Sequence, residues 1–427
     1  MKIAIAGYGL EGEANYAYFA RDPANEITIV DQKEVPDRPL PEGVATILAP
    51  DAFEKLDGFD MVVRTAGLPP RKIKSDGKIW SGTNEFFAKC QAEIIGVTGS
   101  KGKGTTSSLI KGILEAAGRK VWLVGNIGDS SIEALDKIQP TDLVVYELSS
   151  FQLWDIERSP HTAMVLFIEQ EHLDVHKDMA EYVAAKGNIA RFQTPEDLLV
   201  FNAENQYSTQ IAEASFARKV GYPSNETAHV QDGLFYYGEQ KLCSTDVLQL
   251  RGEHNITNAV AAIDAAWGYT QDPAVIAEGL AAFKGLPHRL SFVKAVDDVD
   301  YYDDSIATTP SSAIAALRAF DKPKVIILGG SSKGSDFSEL AMEMTKHDVQ
   351  AILIGDEASR IAEALRAVGF EHFEIIENAT AERFTRKAHE MARPGSVVLL
   401  SPSAASFGLF KNYADRGDQF IAAVSAL

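Results

Sequence analysis

Short apolar runs alternate with amphipathic stretches from one end of the chain to the other. The runs are rich in Val, Ile and Leu, as expected for buried strands, and the stretches between them have helical apolar spacing. The clearest runs are IAIAG, EITIVD, MVVRT, IIGVTG, DLVVYEL, AMVLFI, LLVF, KVIILGG, AILIGD and SVVLLS. Strands that alternate with helices are typical of parallel sheets joined by crossover helices. We therefore predict an α/β fold.

The length of the chain predicts more than one domain. With 427 residues, of which 45% are hydrophobic, it can bury two or three separate cores. In three places a predicted strand runs into a glycine-rich turn, and each is a candidate ligand site. We predict domains over residues 1–89, 90–284 and 285–427. Residues 231–250 resemble short, turn-broken strands that decorate the second domain, and we predict no function for them.

Charge and cysteine usage narrow the classes of partner. The formal net charge of −19 disfavours nucleic acid and acidic membranes, so anionic ligands need local cations and backbone N–H groups. Cys90 and Cys243 lack CxxC spacing, which fits two idle thiols better than a zinc site or a disulfide. The first residues lack the features of a signal peptide, and no apolar run approaches about 20 residues. We expect a cytoplasmic protein that acts on small molecules.

The first glycine-rich turn has the pattern GxGxxG. Gly7, Gly9 and Gly12 directly follow the strand KIAIA, and Asp31 ends the next strand. In dinucleotide-binding domains the glycines allow a tight turn close to a pyrophosphate, and the acid accepts hydrogen bonds from a ribose diol. Three interpretations remain open: a NAD-dependent oxidoreductase, a related domain that binds a nucleotide diphosphate such as UDP, and a purely structural turn. We favour the nucleotide diphosphate.

The second turn, Thr98–Thr106, lies between the strand EIIGV and the helical stretch SSLIKGILEAAG. A phosphate-binding loop requires this order of strand, loop and helix. Backbone N–H groups and the helix N-terminus surround triphosphate oxygens, Lys103 neutralises charge, and a hydroxyl reaches Mg²⁺. Gly104 stands where that hydroxyl is usually found, which moves it to Thr105 or Thr106. We therefore predict that ATP and Mg²⁺ bind here.

Polar residues follow two later strands. Glu147 and the segment Ser149–Gln152 end the strand DLVVYEL, where a carboxylate can complete a magnesium site that faces the loop. His172 follows the strand AMVLFI, and Lys186 lies in a helical stretch beyond it. Taken singly, a strand-end acid is usually solvated, and a lone histidine more often packs than binds. The site hypothesis therefore depends on these residues occurring together.

Ten motifs together resemble the Mur ligases, in the order in which that family has them and across essentially the whole chain. They are TGSKGKGTT, GNIG, YELSSFQL, EHLD, YVAAK, HNITNA, LPHR, DDSIATT, GGSSKGSDF and SPSAASFGLFKNYADRG. SSFQL, LPHR and the last motif look like the MurD branch, which adds glutamate to UDP-N-acetylmuramoyl-alanine. The resemblance implies a Rossmann-like UDP-binding domain, a central P-loop ATPase-like domain and a Rossmann-like glutamate-binding domain.

The resemblance also implies roles for individual residues. The UDP-substrate site would comprise Leu10, Glu11, Asp31, Thr65, Gly67, Asn126, Ser149 and Gln152. The ATP site would comprise Gly99, Ser100, Lys101, Gly102, Lys103, Gly104, Thr105, Thr106, Asn258, Arg289 and Asp304. Two Mg²⁺ ions would be held by Thr105, Glu147, His172 and Lys186, the last as a carbamate, and catalysis would rest on Lys103, Glu147, His172 and Lys186. Glutamate would be bound by Thr308, Lys333, Ser406 and Tyr413.

Two residues depart from the pattern of the family. Ile306 replaces the lysine common in its DSKAT motif, and Tyr413 stands where phenylalanine is common. Both lie in the glutamate-binding motifs, so the sequence leaves the D or L isomer of glutamate open.

The implied reaction is amide-bond formation through an acyl phosphate, with ADP and phosphate as by-products. Because an acyl phosphate hydrolyses readily, we expect the C-terminal domain to close over the middle domain, with hinges near Lys284. We expect a monomer. The alternatives are a folylpolyglutamate-synthase-like ligase, a NAD-dependent oxidoreductase and a non-catalytic nucleotide-binding regulator.

Overall fold

The computed structural model describes residues 1–36, 38–173, 175–249, 252–332 and 334–427. These residues form two compact units, Met1–Lys284 and Gly285–Leu427. Within the described residues, no helix is both long and apolar enough to cross a membrane. The α/β fold predicted from the alternation of apolar runs and helical stretches is confirmed.

The first unit begins with a five-stranded parallel sheet of order β3-β2-β1-β4-β5. Its strands are β1 Lys2–Ala6, β2 Glu26–Asp31, β3 Ala45–Leu48, β4 Met61–Arg64 and β5 Lys78–Ser81, and its helices are α1 Leu10–Phe19 and α2 Gly82–Lys89. The order reverses between β1 and β4, so the loops that follow these two strands are neighbours at the carboxyl edge, where ligands bind in folds of this class. The domain boundary proposed at residues 89 and 90 follows α2.

A second parallel sheet of the same unit has the order β11-β10-β9-β6-β8-β7. Its strands are β6 Glu93–Thr98, β7 Val121–Gly125, β8 Leu143–Glu147, β9 Thr162–Val165, β10 Leu198–Asn202 and β11 Arg218–Tyr222. The helices are α3 Lys103–Ala116, α4 Ser131–Ala134, α5 Ser150–Leu153, α6 Met179–Arg191, α7 Gln206–Ala214, α8 Glu253–Ala266 and α9 Pro273–Ala282. Strands β6 and β8 are buried on both faces, which explains their unbroken apolar character.

Helix α3, which follows the second glycine-rich turn, packs tightly against α9. A Cβ on Gly112 would lie 2.5 Å from the carbonyl oxygen of Gly279, and one on Gly279 would lie 2.3 Å from the Cα of Ile113. The two glycines therefore let the helix backbones touch. A small antiparallel sheet of β12 Ala228–Gln231, β13 Leu234–Tyr237 and β14 Gln240–Ser244 covers the same core, as predicted for residues 231–250.

The second unit contains a mixed sheet of order β15-β16-β20-β17-β18-β19. Its strands are β15 Ser291–Val296, β16 Val299–Asp303, β17 Lys324–Gly329, β18 Val349–Ile354, β19 Phe373–Ile376 and β20 Val397–Leu400. The helices are α10 Pro310–Arg318, α11 Ser338–Met344, α12 Ala358–Ala367, α13 Ala381–Met391 and α14 Tyr413–Ser425. Strand β15 is antiparallel to β16 because Asp297 and Asp298, with φ of 49° and 62°, form a tight hairpin turn.

Candidate active site

Four neighbouring strands of the second sheet carry predicted site residues at their carboxyl ends. In the order β9-β6-β8-β7, they lead into His172, the loop Gly99–Gly102, Glu147 and Asn126. All four strands are parallel, so their ends lie on the same edge of the sheet. The fold thereby brings together residues that are far apart in sequence.

The loop Gly99–Gly102 has the backbone of a phosphate cradle. Gly99 and Gly102 have φ of +147° and +87°, which favour glycine over any other residue. A Cβ on Gly102 would lie 2.4 Å from the Oδ1 of Asn258, so α8 brings this predicted nucleotide contact directly against the loop. Helix α3 starts at Lys103, and its positive N-terminus follows the loop.

Two polar side chains of the loop are held by the loop that follows β9. The backbone N–H of Ser100 donates to the carbonyl oxygen of Phe167 at 2.8 Å, and its hydroxyl donates to that of Glu169 at 2.9 Å. Lys101 is exposed and forms ion pairs with Glu169 and Glu171. Lys103 donates through Nζ to the carbonyl oxygens of Gly99 and Ser100, at 3.0 and 2.9 Å.

Glu147 is buried at the end of β8 with one oxygen unmatched. Its Oε1 accepts from the Nδ2 of Asn126 at 3.0 Å, whereas its Oε2 has no hydrogen-bond partner among the described residues. The buried hydroxyl of Thr106 also has none there, and Thr105 is buried in the same turn of helix. A buried carboxylate oxygen without a donor is costly unless a cation or a ligand group satisfies it.

Lys186 on α6 is almost completely buried. Its Nζ donates to the carbonyl oxygen of Gly99 at 2.7 Å and lies 4.6 Å from the ring centre of Tyr182. Burial, and next the charge of Lys103, lower the pKa of Lys186 well below its usual value, while Glu171 and Glu147 act in the opposite direction. The lowered pKa favours the neutral amine, which is the form that can react with CO₂ as a nucleophile.

His172 lies exposed in the loop after β9, in the left-handed region with φ of 57°. Its ring centre is 4.9 Å from that of Phe151, and its Nε2 is 4.0 Å from the Oε2 of Glu171. The positive charge of Lys101, followed by that of Lys103, lowers the pKa of Glu171 against the effect of burial. The loop thus presents a histidine and an ionised carboxylate beside the phosphate cradle.

Tyr182 is a residue of this site that the sequence analysis missed. Its hydroxyl lies 2.9 Å from the Oγ of Ser100 and donates to Glu171 at 3.4 Å, so it links the phosphate cradle to the loop of His172. Burial raises the pKa of Tyr182, which keeps its hydroxyl protonated. The available signal was its position one helical turn before Lys186.

In the first sheet, the GxGxxG turn and Asp31 form one hydrogen-bonded unit. Gly7 has φ of +89°, and a Cβ on Gly12 would lie 2.1 Å from the carbonyl oxygen of Gly7. The two carboxylate oxygens of Asp31 accept from the backbone N–H groups of Tyr8 and Lys33, at 2.7 and 2.8 Å. Asp31 therefore braces the turn, and only its remaining lone pairs are available to a ribose.

The other predicted UDP-site residues of this sheet lie on the loops after β1 and β4. The Oε2 of Glu11 accepts from the backbone N–H of Ala66 at 2.8 Å, and burial raises the pKa of Glu11. A Cβ on Gly7 would lie 2.4 Å from the Oγ1 of Thr65, so the two loops touch. Leu10 and Gly67 are both exposed beside them.

Ser149 and Gln152 hydrogen-bond each other. The Oγ of Ser149 accepts from the backbone N–H of Gln152, and the Oε1 of Gln152 accepts from that of Ser149, which makes a capping box for α5. Both side chains therefore shape the segment, and both remain half-buried at the edge of the site.

In the second unit, the carboxyl ends of β16 and β20 place several predicted residues side by side. The Oδ2 of Asp304 accepts from the hydroxyl of Ser401 at 2.7 Å, and its Oδ1 accepts from the backbone N–H of Leu290 at 3.1 Å. Burial raises the pKa of Asp304 to about 7, against the effect of these donors and of Arg289. Arg289 itself is exposed.

The predicted glutamate residues lie on the same edge. Thr308 is half-buried after β16, Ser406 is buried after β20, and Tyr413 is 41% exposed at the start of α14. The hydroxyl of Ser305 donates to the carbonyl oxygen of Tyr413 at 2.7 Å, which ties α14 to the loop after β16. Lys333, also predicted for this site, lies outside the described residues.

The donor set of the first unit fits Mg²⁺ in part. Among the described residues, no group of three or more His, Cys, Asp and Glu is placed to hold a metal ion. The available oxygen donors are Glu147 and the threonine hydroxyls, and a carbamate on Lys186 would add another carboxylate-like group. The unmatched oxygen of Glu147 is the observation that best fits a cation.

Two family models match the chain. The model for the Mur ligase middle domain matches residues 97–266, and the model for the Mur ligase glutamate ligase domain matches residues 288–404. The first spans the phosphate cradle, Glu147, His172, Lys186 and Asn258, and the second spans Arg289, Asp304 and Thr308.

Curated relatives match over most of their length. The UDP-N-acetylmuramoylalanine–D-glutamate ligase of Clostridium tetani is 38% identical over 396 residues, which cover 89% of this chain and 85% of the relative. The enzyme of that name from Streptococcus thermophilus is 34% identical over 443 residues, with 100% of this chain and 97% of the relative covered.

Solved structures share the fold at lower identity. The UDP-N-acetylmuramate–alanine ligase of Thermotoga maritima has a TM-score of 0.60 and 18% identity, covering 100% of this chain and 99% of that one. The Mycobacterium tuberculosis folylpolyglutamate synthase complexed with ADP and AMPPCP has a TM-score of 0.58 and 16% identity, covering 76% and 92%. These two solved structures carry different enzyme names, so the fold alone does not distinguish the members of the family. The curated relatives, at 34–38% identity, carry one enzyme name. The chain belongs to the Mur ligase family, among the relatives named UDP-N-acetylmuramoylalanine–D-glutamate ligase.

Proposed function

We propose that this chain is an ATP-dependent, ADP-forming ligase that adds D-glutamate to UDP-N-acetylmuramoyl-L-alanine in peptidoglycan precursor synthesis. Support comes from the relatives that carry this name and from the convergence of the phosphate cradle, Glu147 and Lys186 at one edge of the second sheet. The single observation that carries the chemistry is the unmatched, buried oxygen of Glu147 beside a loop built for phosphate.

The chemistry begins with activation of a carboxylate. A carboxylate is a poor acyl donor, so transfer of the γ-phosphoryl group of ATP converts it to an acyl phosphate. Lys103 and the backbone N–H groups of the loop stabilise the negative charge that develops on the transferred group. The amine of glutamate, after losing a proton, attacks the carbonyl carbon, and the tetrahedral intermediate collapses to the amide and phosphate.

We assign two Mg²⁺ ions to this site. Glu147 and Thr105 or Thr106 would hold one, and His172 and carbamylated Lys186 would hold the second. When bound, the ions supply charge neutralisation at the phosphate oxygens. The Oε2 of Glu147, which has no hydrogen-bond partner in the part of the chain that the structure describes, suits this role, and the lowered pKa of Lys186 favours the neutral amine that CO₂ requires.

The remaining substrate contacts are assigned by unit. The loops after β1 and β4, with Asn126, Ser149 and Gln152, would bind the UDP-sugar substrate. Asn258, Arg289 and Asp304 would contact ATP, while Thr308, Lys333, Ser406 and Tyr413 would bind glutamate. We further propose a cytoplasmic monomer with small-molecule partners and no nucleic-acid or membrane partner, in keeping with its net charge of −19.

The test is phosphate release from ATP and Mg²⁺ in the presence of UDP-N-acetylmuramoyl-L-alanine with D-glutamate, with L-glutamate, or with neither. We expect release that requires both the UDP-sugar and D-glutamate. If L-glutamate were preferred, the reaction would be the same but its stereochemistry would differ. This outcome bears on Ile306 and Tyr413, the two residues that depart from the family pattern in the glutamate-binding motifs. Release with a folate substrate instead of the UDP-sugar would overturn the proposal.

A further inference from the structure

Arg64, the last residue of β4, is fully buried with all of its donors engaged. Its Nε donates to the Oδ2 of Asp155 at 2.7 Å, and its Nη2 donates to the Oδ1 of the same carboxylate. The Nη2 also donates to the carbonyl oxygen of Phe151 at 3.0 Å. The guanidinium is thus paired in the forked geometry that only arginine provides.

The same guanidinium holds the loop that follows β4. Its Nη1 lies 3.2 Å from the carbonyl oxygen of Thr65 and 3.3 Å from those of Ala66 and Leu68. Glu11 completes the arrangement from the other side, because it accepts the backbone N–H of Ala66. Three carbonyl oxygens of one short loop therefore point at one side chain.

The two segments joined by Arg64 belong to different sheets. Residues 65–68 follow β4 of the first sheet, and residues 151–155 follow β8 of the second. Asn84 adds to this junction, since its Nδ2 donates to the carbonyl oxygen of Asp155 and its Oδ1 accepts from the backbone N–H of Glu157. A connection of this kind sets the distance between the loop after β4 and the segment after β8.

A buried ion pair is weak evidence for stability, because well-packed apolar residues often serve stability as well or better. Here the pair lies between two segments to which the proposed function assigns one substrate: the loop after β4, with Thr65 and Gly67, and the segment after β8, with Ser149 and Gln152. Its position therefore favours a role in the geometry of substrate binding.

We infer that Arg64 and Asp155 are positioning residues that fix the separation of the two halves of the UDP-substrate site. The inference rests on the proposed function for the identity of the substrate. Among the described residues, none of the hydrogen bonds of Arg64 and Asp155 reaches the phosphate cradle, so we expect the pair to affect the UDP-substrate and to leave ATP binding unchanged.

The experiment compares Arg64→Lys, Asp155→Asn and the double variant Arg64→Met/Asp155→Leu with the wild-type chain. Arg64→Lys keeps the charge but loses the fork, and we expect the KM for the UDP-substrate to rise about tenfold while kcat and the KM for ATP change less than about threefold. In the double variant no buried charge is left unpaired, so its melting temperature should exceed that of either single variant, although the carbonyl oxygens that Arg64 contacts lose their donor. The KM should stay raised.

Lys78→Ala is the matched control. Lys78 of β5 pairs with Glu157 at 3.0 Å, so it also joins the first sheet to the segment after α5, but both side chains are about half exposed. We expect its KM for the UDP-substrate to change less than about twofold. A double variant in which KM recovers together with the melting temperature would show a merely structural role and would overturn the inference.

Hydrogen–deuterium exchange separates this inference from the proposed function. In Arg64→Lys, the peptides that cover residues 65–68 and 151–155 should lose protection together, whereas Lys78→Ala should leave both unchanged. If the wild-type chain had no ligase activity, the proposed function would be refuted. The exchange data would still show whether Arg64 couples residues 65–68 to residues 151–155. Loss of protection in only one of the two segments, or in neither, would overturn the inference.

Discussion

At the scale of single residues, burial sets the chemistry of the candidate site. Lys186 and Glu147 carry ordinary side chains, but the first is buried with a strongly lowered pKa and the second keeps an oxygen without a partner among the described residues. Neither property belongs to the residue type. Both arise because β6, β8 and α6 enclose the side chains, which removes the water that would otherwise solvate them.

Substitution of Lys186 tests whether a carbamate forms there. We expect Lys186→Met to lower kcat at least about 100-fold with little loss of stability, because an apolar chain of similar length fills the buried space but offers no amine to CO₂. Removing CO₂ from the buffer should lower the activity of the wild-type chain, and adding bicarbonate should restore it. Lys137→Met, outside the site, is the control; equal activity of Lys186→Met and the wild-type chain would exclude the carbamate.

Asp264 on α8 predicts a pH dependence of stability. Burial raises its pKa to about 7, although the backbone N–H of Ala228 opposes the shift. Between about pH 4 and pH 7 the folded chain keeps a proton that the unfolded chain has released, so the free energy of unfolding falls as the pH rises through this range. Asp264→Asn, which keeps the acceptor for Ala228, should raise the melting temperature at pH 8 relative to the wild-type chain and have less effect at pH 5.

Asp232→Asn provides the matched control for this pH dependence. Asp232 is an exposed carboxylate in the turn between β12 and β13, and asparagine tolerates its φ of 50°. Its melting temperature should follow that of the wild-type chain across pH 5–8. If the melting temperatures of Asp264→Asn and of the wild-type chain fell in parallel as the pH rose, the pH dependence would arise from other groups.

At the scale of elements, the phosphate cradle depends on how closely α8 approaches the loop after β6. The order of strand, loop and helix predicted for TGSKGKGTT is present, because glycine and the helix N-terminus act locally; phosphate binding by the loop stays a prediction. The family resemblance named Asn258 but not its approach to Gly102, and the burial of Thr106 and the contacts of Tyr182 also depend on helices from other parts of the chain. The sequence analysis also did not predict that Asp31 accepts hydrogen bonds from the backbone N–H groups of Tyr8 and Lys33.

Two alanine substitutions separate the crowding at the cradle from backbone strain. Gly102 and Gly118 have similar φ of +87° and +76°, but a Cβ would meet the Oδ1 of Asn258 at 2.4 Å in the first case and nothing within 4 Å in the second. Both alanine variants should lose some stability from the left-handed conformation. Only Gly102→Ala should raise the KM for ATP, by about tenfold or more.

The measurements are initial rates over a range of ATP concentrations and the melting temperatures of both variants. If Gly118→Ala raised the KM for ATP as much as Gly102→Ala, general destabilisation and not contact with Asn258 would be responsible.

At the scale of the whole molecule, the proposed substrates are divided between two units. The phosphate cradle and the UDP-site residues belong to Met1–Lys284, and the described glutamate residues belong to Gly285–Leu427. An acyl phosphate must be protected from water while glutamate attacks it. We therefore expect the ligands to change the arrangement of the units in solution.

Small-angle scattering tests this expectation. The radius of gyration should fall when a non-hydrolysable ATP analogue and the UDP-substrate are added together, and it should change less with either alone. Gly285, with φ of +115°, begins the second unit and is a candidate hinge. A profile unchanged by both ligands would count against closure.

The sequence by itself determined the fold class, the family resemblance and the order of the chemical motifs. Those features are local: strand and helix periods, glycine at turns with positive φ, and a lysine at a helix start all act over a few residues. Only the tertiary structure decided which side chains lose water and which partners they meet. The bracing role of Asp31, the unmatched oxygen of Glu147 and the junction at Arg64 arise from contacts between segments far apart in sequence, which no local pattern encodes.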